Sequence, residues 1–268
     1  MLPQHDLAAK VLDVDAALMA LGCERFQGDG ATWVRDRQFP SIYDANHVSA
    51  TSVSTTAEVD HLLARVEVEY AHCNHRRFHV DFRTSPLLTA RLALDGYVRD
   101  DTLMMLLEGD LAGSAKDHDI RPVRTEQGWQ VYASLKAADW DEHRQKLPEP
   151  KPGAEIGEAF VHIYRRKAPE LQYFLAYVDG TPAAFFSSWP GIGGIGQVED
   201  LFTLPEFRHR GLAKALMHRC VRDCRERGAR SVAIACDPAD TPKQMYRAMG
   251  FVPIALAVHY LKRLPIPG

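Results

Sequence analysis

The chain has 268 residues, enough for one large domain or two ordinary ones. Hydrophobic residues make up 46% and charged residues 25%, the balance of a soluble globular protein, and a net charge of −3 excludes the strongly basic surface of a nucleic-acid binder. No stretch approaches the ~18 uninterrupted apolar residues of a membrane span. The start, Met1-Leu-Pro-Gln-His-Asp-Leu7, lacks the basic-then-apolar pattern of a signal peptide, and five cysteines without framework spacing point to a reducing, cytoplasmic compartment.

In the first half, Ala57 to His72 predicts a helix, Arg77 to Phe82 a strand and Pro86 to Leu94 a second helix. Gly96-Tyr97 then precedes the apolar run Thr102 to Leu107. The sequence His72-Cys-Asn-His75-x-x-x-His79 has metal-ligand residue types, but they straddle a helix end and a strand, so their side chains are not expected to converge and no metal is expected. Leu147-Pro-Glu-Pro-Lys-Pro-Gly153 cannot continue a helix or a central strand. It reads as a linker at 147–153, between a domain over 1–146 and another over 154–268.

Past the linker, Glu155 to Lys167 predicts a helix. Gln172 to Val178 and Pro182 to Trp189 flank Asp179-Gly180, a strong hairpin signal. Gly196 to Thr203 predicts a strand. Arg210 to Arg227 predicts a helix whose inner face carries Leu212, Leu216, Cys220 and Cys224, with Gly228 as its stop. Ser231 to Cys236 predicts a strand, Pro242 to Met249 a helix closed by Gly250, and Ile254 to Leu261 a last strand. Asp240-Thr-Pro-Lys243 reads as the helix start, with Asp240 as its N-cap. The order is mixed α/β around a central sheet. Gly191-Ile-Gly-Gly-Ile-Gly196 matches a dinucleotide fingerprint in letters only, because a strand follows it where that fingerprint opens a helix; it reads as a loop or a simple turn.

A faint internal repeat joins the halves. Gly96 and Gly250 are 154 apart (250 − 96), and at that offset Phe78 meets Val232, Val80 meets Ile234, Tyr97 meets Phe251 and Val98 meets Val252.

The chemistry concentrates in Val198 to Lys214. A strand runs into Arg208-His-Arg-Gly-Leu-Ala213, and a helix follows at once. Amides that open a helix have no partner inside it, and the helix dipole adds partial positive charge, so such a turn suits a pyrophosphate. Gly211 lets the backbone approach the anion, Ala213 keeps the approach clear, and Arg210 adds charge. Arg208, Gly211 and Ala213 match the Arg/Gln-x-x-Gly-x-Gly/Ala signature of the Gcn5-related N-acetyltransferases; Thr203-x-Pro205 and Tyr246-Arg-Ala-Met-Gly-Phe251 also resemble that family. The resemblance covers roughly residues 155 to 262. With the repeat, it implies a tandem member: an α/β (α+β mixed sheet) fold of acetyltransferase-like units, with a central mixed β-sheet flanked by helices. The first unit looks degenerate. Its corresponding loop, Ser54-Thr-Thr-Ala-Glu-Val59, has no glycine and no base and carries Glu58, while Leu92 stands where Tyr246 stands in the second unit.

By that resemblance, acetyl-CoA is the co-substrate. His209, Arg210, Gly211, Leu212, Ala213 and Lys214, with Arg208, hold its diphosphate. Leu201, Phe202 and Thr203 offer backbone groups to the pantetheine arm, where a bulge would leave such groups free. Glu199 takes the general-base position, with Asp200 as competitor; regular alternation would put Glu199, Leu201 and Thr203 on one face. Tyr246 takes the position of the acid that protonates the departing thiolate. The family often has Asn seven residues before this tyrosine, where this chain has Ala239. The implied activity is direct transfer of an acetyl group to a primary amine on a small molecule or a peptide, with no nucleic-acid or membrane partner and with homodimerisation left open. The alternatives are a non-catalytic acyl-CoA sensor, and a tandem enzyme resembling mycothiol synthase.

Overall fold

The computed structural model describes residues 2–147, 151 and 153–265. In chain order it contains α1 (Leu2–Ala20), β1 (Glu24–Gly28), β2 (Ala31–Arg35), β3 (His47–Ser49), α2 (Thr56–Glu69), β4 (His75–Val80), α3 (Pro86–Leu94), β5 (Val98–Leu107), β6 (Asp119–Pro122), α4 (Glu126–Gln145), α5 (Glu155–Lys167), β7 (Gln172–Val178), β8 (Thr181–Ile192), β9 (Ile195–Thr203), α6 (Leu212–Glu226), β10 (Ser231–Cys236), α7 (Pro242–Ala248) and β11 (Val252–Arg263), with 3-10 turns at Tyr43–Ala45 and Pro205–Phe207. The fold is mixed α/β, as expected. None of the described helices is long and apolar enough to cross a membrane.

Two compact units form. The first holds residues 1–104, 236–240 and 254–268; the second holds 105–235 and 241–253. In the first, the strand order is β1-β2-β3-β4-β11, antiparallel except for the parallel pair β3–β4. Its core gathers Trp33, Val48, Leu62, Val66, Tyr70, Phe78 and Leu88, all buried. In the second, the order is β10-β9-β8-β7-β6, antiparallel except for the parallel pair β9–β10.

The repeat expected from the 154-residue offset is visible as architecture. In the first half, β1, β2, β3, α2, β4, α3 and β5 follow one another; β7, β8, β9, α6, β10, α7 and β11 repeat that order. The pairings repeat too: antiparallel, antiparallel, then parallel across the intervening helix. A parallel neighbour needs a crossover, and α2 and α6 supply it.

The units do not divide at the expected linker. Most of 147–153 lies outside the described residues. The compact units instead part at Met104, inside β5, and the C-terminal strand β11 pairs with β4 of the first half. Helix α4, upstream of the linker, belongs with the second unit because it packs on β8 and α5. Its buried stripe, Trp129, Tyr132, Leu135 and Lys136, has helical spacing.

Local sequence explains the turns that set the register. Asp179 (φ 49°) and Gly180 (φ 79°) are both left-handed, as a tight hairpin with right-twisted strands requires. The glycine run ends as a second such hairpin: Ile192 pairs with Ile195 around Gly193 (φ 61°) and Gly194 (φ 84°). It is a turn between β8 and β9, so the simple-turn reading of this segment is the one the backbone adopts.

Candidate active site

Strand β9 is irregular where the sequence placed the reactive centre. On one side, Ser187 of β8 faces Glu199 and Phe185 faces Phe202, so Asp200 and Leu201 together stand opposite the single residue Phe186. This is a β-bulge, and Asp200 carries its strain with φ 67°. The bulge breaks the alternation that would have put Glu199, Leu201 and Thr203 on one face: Glu199 and Phe202 now occupy equivalent register positions, and Thr203 faces Ala184. On the other side, the parallel ladder to β10 ends at Val198–Ile234, although β9 continues to Thr203. Beyond Val198 the edge of β9 has left its neighbour.

The chain then enters the basic turn. Leu204 leads into the 3-10 turn Pro205–Phe207, His209 is left-handed (φ 62°), and Gly211 is left-handed (φ 92°) as the N-cap of α6. Among the described residues, no side chain caps this helix. A φ of 92° is easy for glycine and costly for other residues. Arg208 braces the turn: its Nε donates to Thr203 O at 3.0 Å and its guanidinium pairs with Glu142. Arg210 donates to Glu206 O at 3.2 Å and lies over the Phe207 ring. Leu212 is buried under the turn, and Ala213 and Lys214 complete the first helical turn.

A segment the sequence reading passed over borders this turn. A Cβ placed on Gly211 would stand 3.6 Å from His118 Nε2 and 3.8 Å from Lys116 Cδ, and one on Gly113 would stand 2.9 Å from Lys214 Nζ. The connection between β5 and β6 therefore adds Lys116 and His118 to His209, Arg210 and Lys214. His118 Nε2 is shielded from solvent and has no hydrogen-bond partner among the described residues.

The candidate acid and base fall in the same unit. Glu199 is half-buried and its Oε2 accepts from Gln197 Nε2 at 3.2 Å; its carbonyl accepts from Ser187 Oγ at 2.8 Å. Tyr246 is buried on α7 and packs against Phe251 with 6.2 Å between ring centroids. Asp200, the competing base, is tied up: its carboxylate accepts from Tyr132 Oη at 3.0 Å and from Lys136 Nζ at 2.7 Å. Asp240 is not the cap of α7. The helix starts at Pro242 as expected, where proline's fixed φ is already helical, but Thr241 rather than Asp240 stands at the N-cap position.

The corresponding turn of the first half differs. Ala50 is left-handed (φ 47°), and the start of α2 is closed by Thr55 and Glu58 of its own chain. The histidines of the rejected metal motif are engaged by other groups. His72 Nε2 meets Asn46 Oδ1 at 3.1 Å, His75 Nε2 meets Asn46 O at 3.3 Å, and His79 stacks on His47.

The comparisons agree with this geometry. Residues 132–251 match the model of the Acetyltransferase (GNAT) family. Aminoglycoside N(6')-acetyltransferase type 1 of Salmonella typhimurium is 30% identical over 106 residues, which is 36% of this chain and 73% of that protein. A Gcn5-related N-acetyltransferase from Kribbella flavida superposes with a TM-score of 0.65 at 19% identity, over 97% of this chain and 96% of that one. A tandem GNAT protein from the clavulanic acid biosynthesis pathway superposes with a TM-score of 0.58 at 14% identity, over 83% of this chain and 76% of that one. At those identities the two structures speak to fold alone; the sequence match to the Salmonella enzyme speaks to descent. The chain is a member of the GNAT acetyltransferase family.

Proposed function

We propose that this protein transfers an acetyl group from acetyl-CoA to a primary amine of a small molecule, by direct attack within a ternary complex. The observation that carries the reading is the parting of β9 from β10 after Val198–Ile234, immediately before the Gly211 turn. An extended, amide-bearing arm ending in a diphosphate needs a free strand edge followed by an anion-binding helix start, and the two occur here in that order.

Under this reading the amides around Gly211, with His209, Arg210 and Lys214, hold the diphosphate. Lys116 stands near enough to add to the charge field, and the His118 ring borders the turn. The freed backbone of Leu201, Phe202 and Thr203 orients the pantetheine arm and the thioester carbonyl. Glu199 removes the ammonium proton directly or through a water. Tyr246 gives its phenolic proton to the leaving sulfur. The small-molecule acceptor is supported by the Salmonella relative, whose name gives an aminoglycoside as its substrate.

Two measurements test the proposal. Acetyl-CoA at about 100 times its dissociation constant adds about 2.7 kcal/mol of stability. The wild-type melting temperature rises accordingly, and Gly211→Asp, which adds a side chain and a negative charge at φ 92°, removes the rise. A panel of primary amines, including aminoglycosides and polyamines, is then screened for release of free CoA thiol. A thermal shift without thiol release from any amine would reduce the protein to a binder, and equal shifts in wild type and variant would refute the assignment of the turn.

A further inference from the structure

We infer that Lys136 and Tyr132 on α4 are positioning residues for the thioester site, because they hold Asp200 in the left-handed conformation that creates the bulge of β9. The inference rests on the proposed acetyl-CoA reading for its functional consequence. Its structural content stands without it.

A non-glycine residue at φ 67° is strained, and such strain persists only where the surroundings over-determine it. The surroundings of Asp200 do so. One carboxylate oxygen accepts from the Tyr132 phenol at 3.0 Å and the other from the Lys136 ammonium at 2.7 Å. Neither donor has room to follow a moving carboxylate. Tyr132 is fully buried, with its ring 4.7 Å from that of Phe185. Lys136 has only 6% of its side chain exposed; its ammonium also donates to Asp139 at 2.8 Å and lies 5.2 to 5.6 Å from the ring centroids of Phe160, Tyr164 and Phe185. One residue earlier, Ser187 Oγ clamps the carbonyl of Glu199. The bulge is thus fixed at two successive residues by groups outside its own strand.

A simpler account, that the pair merely stabilises the core, fits the chemistry poorly. A lysine buried among three aromatic rings gives up its hydration, and a buried ion pair is often no better for stability than apolar residues of the same volume. What the pair does supply is direction: it fixes where the carboxylate of Asp200 lies, and through it the backbone torsions of the residues that precede Leu201 and Phe202. Burial works against the charge of Lys136, but the carboxylates of Asp200 and Asp139 outweigh it and raise its pKa, so the residue stays cationic.

The test uses the full-length protein with Asp200→Asn, Asp200→Gly, Asp200→Val and Lys136→Met. Hydrogen exchange of residues 199–203 in ligand-free protein reads the backbone whether or not acetyl-CoA binds. Faster exchange in Lys136→Met and Asp200→Val, with protection largely recovered in Asp200→Gly, is expected, since glycine adopts the left-handed torsion unaided. Unchanged exchange in Lys136→Met, or Asp200→Gly as exposed as Asp200→Val, overturns the inference. Steady-state kinetics give the functional arm. Asp200→Val raises the acetyl-CoA KM about tenfold or more, Asp200→Asn and Asp200→Gly rank closer to wild type, and the amine KM moves far less. Lys136→Met adds nothing further in an Asp200→Gly background. Failure of the wild type to bind acetyl-CoA at all would strike the proposed function and leave the exchange result to decide the inference. Equal acetyl-CoA KM in wild type and Asp200→Val would strike the inference alone.

Discussion

Glu58 folds back on Thr55 in a reciprocal cap: its Oε2 accepts from the Thr55 amide at 3.0 Å, and Thr55 Oγ1 accepts from the Glu58 amide at 3.3 Å. The same carboxylate also takes the Ser54 amide at 2.7 Å, and these amides hold it below the usual carboxylate range. A carboxylate at this turn repels a diphosphate by charge alone. The structure goes further: Glu58 already occupies the donors that a phosphate would need. Where α6 opens on an uncapped left-handed glycine, α2 opens on a closed box.

Titration calorimetry with acetyl-CoA should therefore give one equivalent per chain, and Gly211→Asp should abolish it. Glu58→Ala opens the box but supplies neither a glycine nor a base, so its stoichiometry should stay at one. Two equivalents in either the wild type or Glu58→Ala would mean that the first-half turn is a working site.

Tyr246 can be tested without disturbing its packing. Its ring is buried against Phe251, and phenylalanine preserves that contact. If its hydroxyl delivers the proton to the leaving sulfur, Tyr246→Phe should lower kcat by about 100-fold while leaving the acetyl-CoA KM within a fewfold range, since general acid–base groups contribute about 10²–10⁴-fold. The melting temperature should barely move. An unchanged kcat would remove the acid role.

Much of the second half was legible because its signals are local. Asp179-Gly180 named its own hairpin, and the apolar faces of Glu155–Lys167 and Leu212–Glu226 named their helices. The same kind of signal, Asp29-Gly30 with φ 49° and 68°, marks the β1–β2 hairpin and went unread. Other features had no local signature. The strand–helix–strand pattern is the same in both halves, so the sequence could not say that β11 would pair with β4. The bulge depends on Asp200 meeting Lys136 across 64 positions, and an aspartate in a strand does not announce a left-handed torsion. The one available hint was a lysine on the apolar stripe Trp129, Tyr132, Leu135 and Lys136.

Gly193 in the β8–β9 turn and Gly196 at the start of β9 differ in what they require, and two substitutions separate the causes. A Cβ on Gly196 would come within 2.9 Å of Trp189 O, 3.0 Å of Ala229 Cβ and 3.2 Å of Cys224 Cβ, so the obstacle is space. A Cβ on Gly193 would meet nothing within 4 Å among the described residues, so the obstacle is its φ of 61°. Gly196→Ala should cost about 1–3 kcal/mol through overpacking, and Gly193→Ala about 1–2 kcal/mol through its left-handed torsion. Gly193→Asn, a residue that tolerates that torsion, should recover part of the loss, whereas no larger side chain should rescue position 196. Chemical denaturation of the three variants checks the order, and recovery at 196 with a larger residue would contradict the steric reading.

The first unit should be acid-labile through its histidines. His47, His79 and His259 form a column across β3, β4 and β11: ring centroids are 3.8 Å apart and nearly parallel for His47 and His79, and 4.3 Å apart for His79 and His259. Arg77 donates to His79 Nε2 at 3.0 Å, and its other nitrogen lies 3.0 Å from His259 Nδ1, which requires lone pairs on both rings. Asp44 pairs with Arg77 at 3.2 Å, and its carbonyl meets His47 Nδ1 at 2.8 Å. Burial is the main cause pushing these imidazoles down from 6.5: His47 to about 3, His259 to about 4 and His79 well below its ordinary value, with neighbouring His75 also at about 4. A histidine whose folded pKa is depressed binds protons preferentially in the unfolded chain. Its contribution is whole above about pH 6.5 and is lost as pH falls toward 4 and then 3. His259→Gln keeps an acceptor for Arg77 but removes one titrating ring, so the slope of unfolding free energy against pH between 6 and 4 should fall by up to one proton relative to wild type. Urea titrations across that range measure the slope, and identical slopes for the two proteins would show that His259 is not among the groups that titrate there.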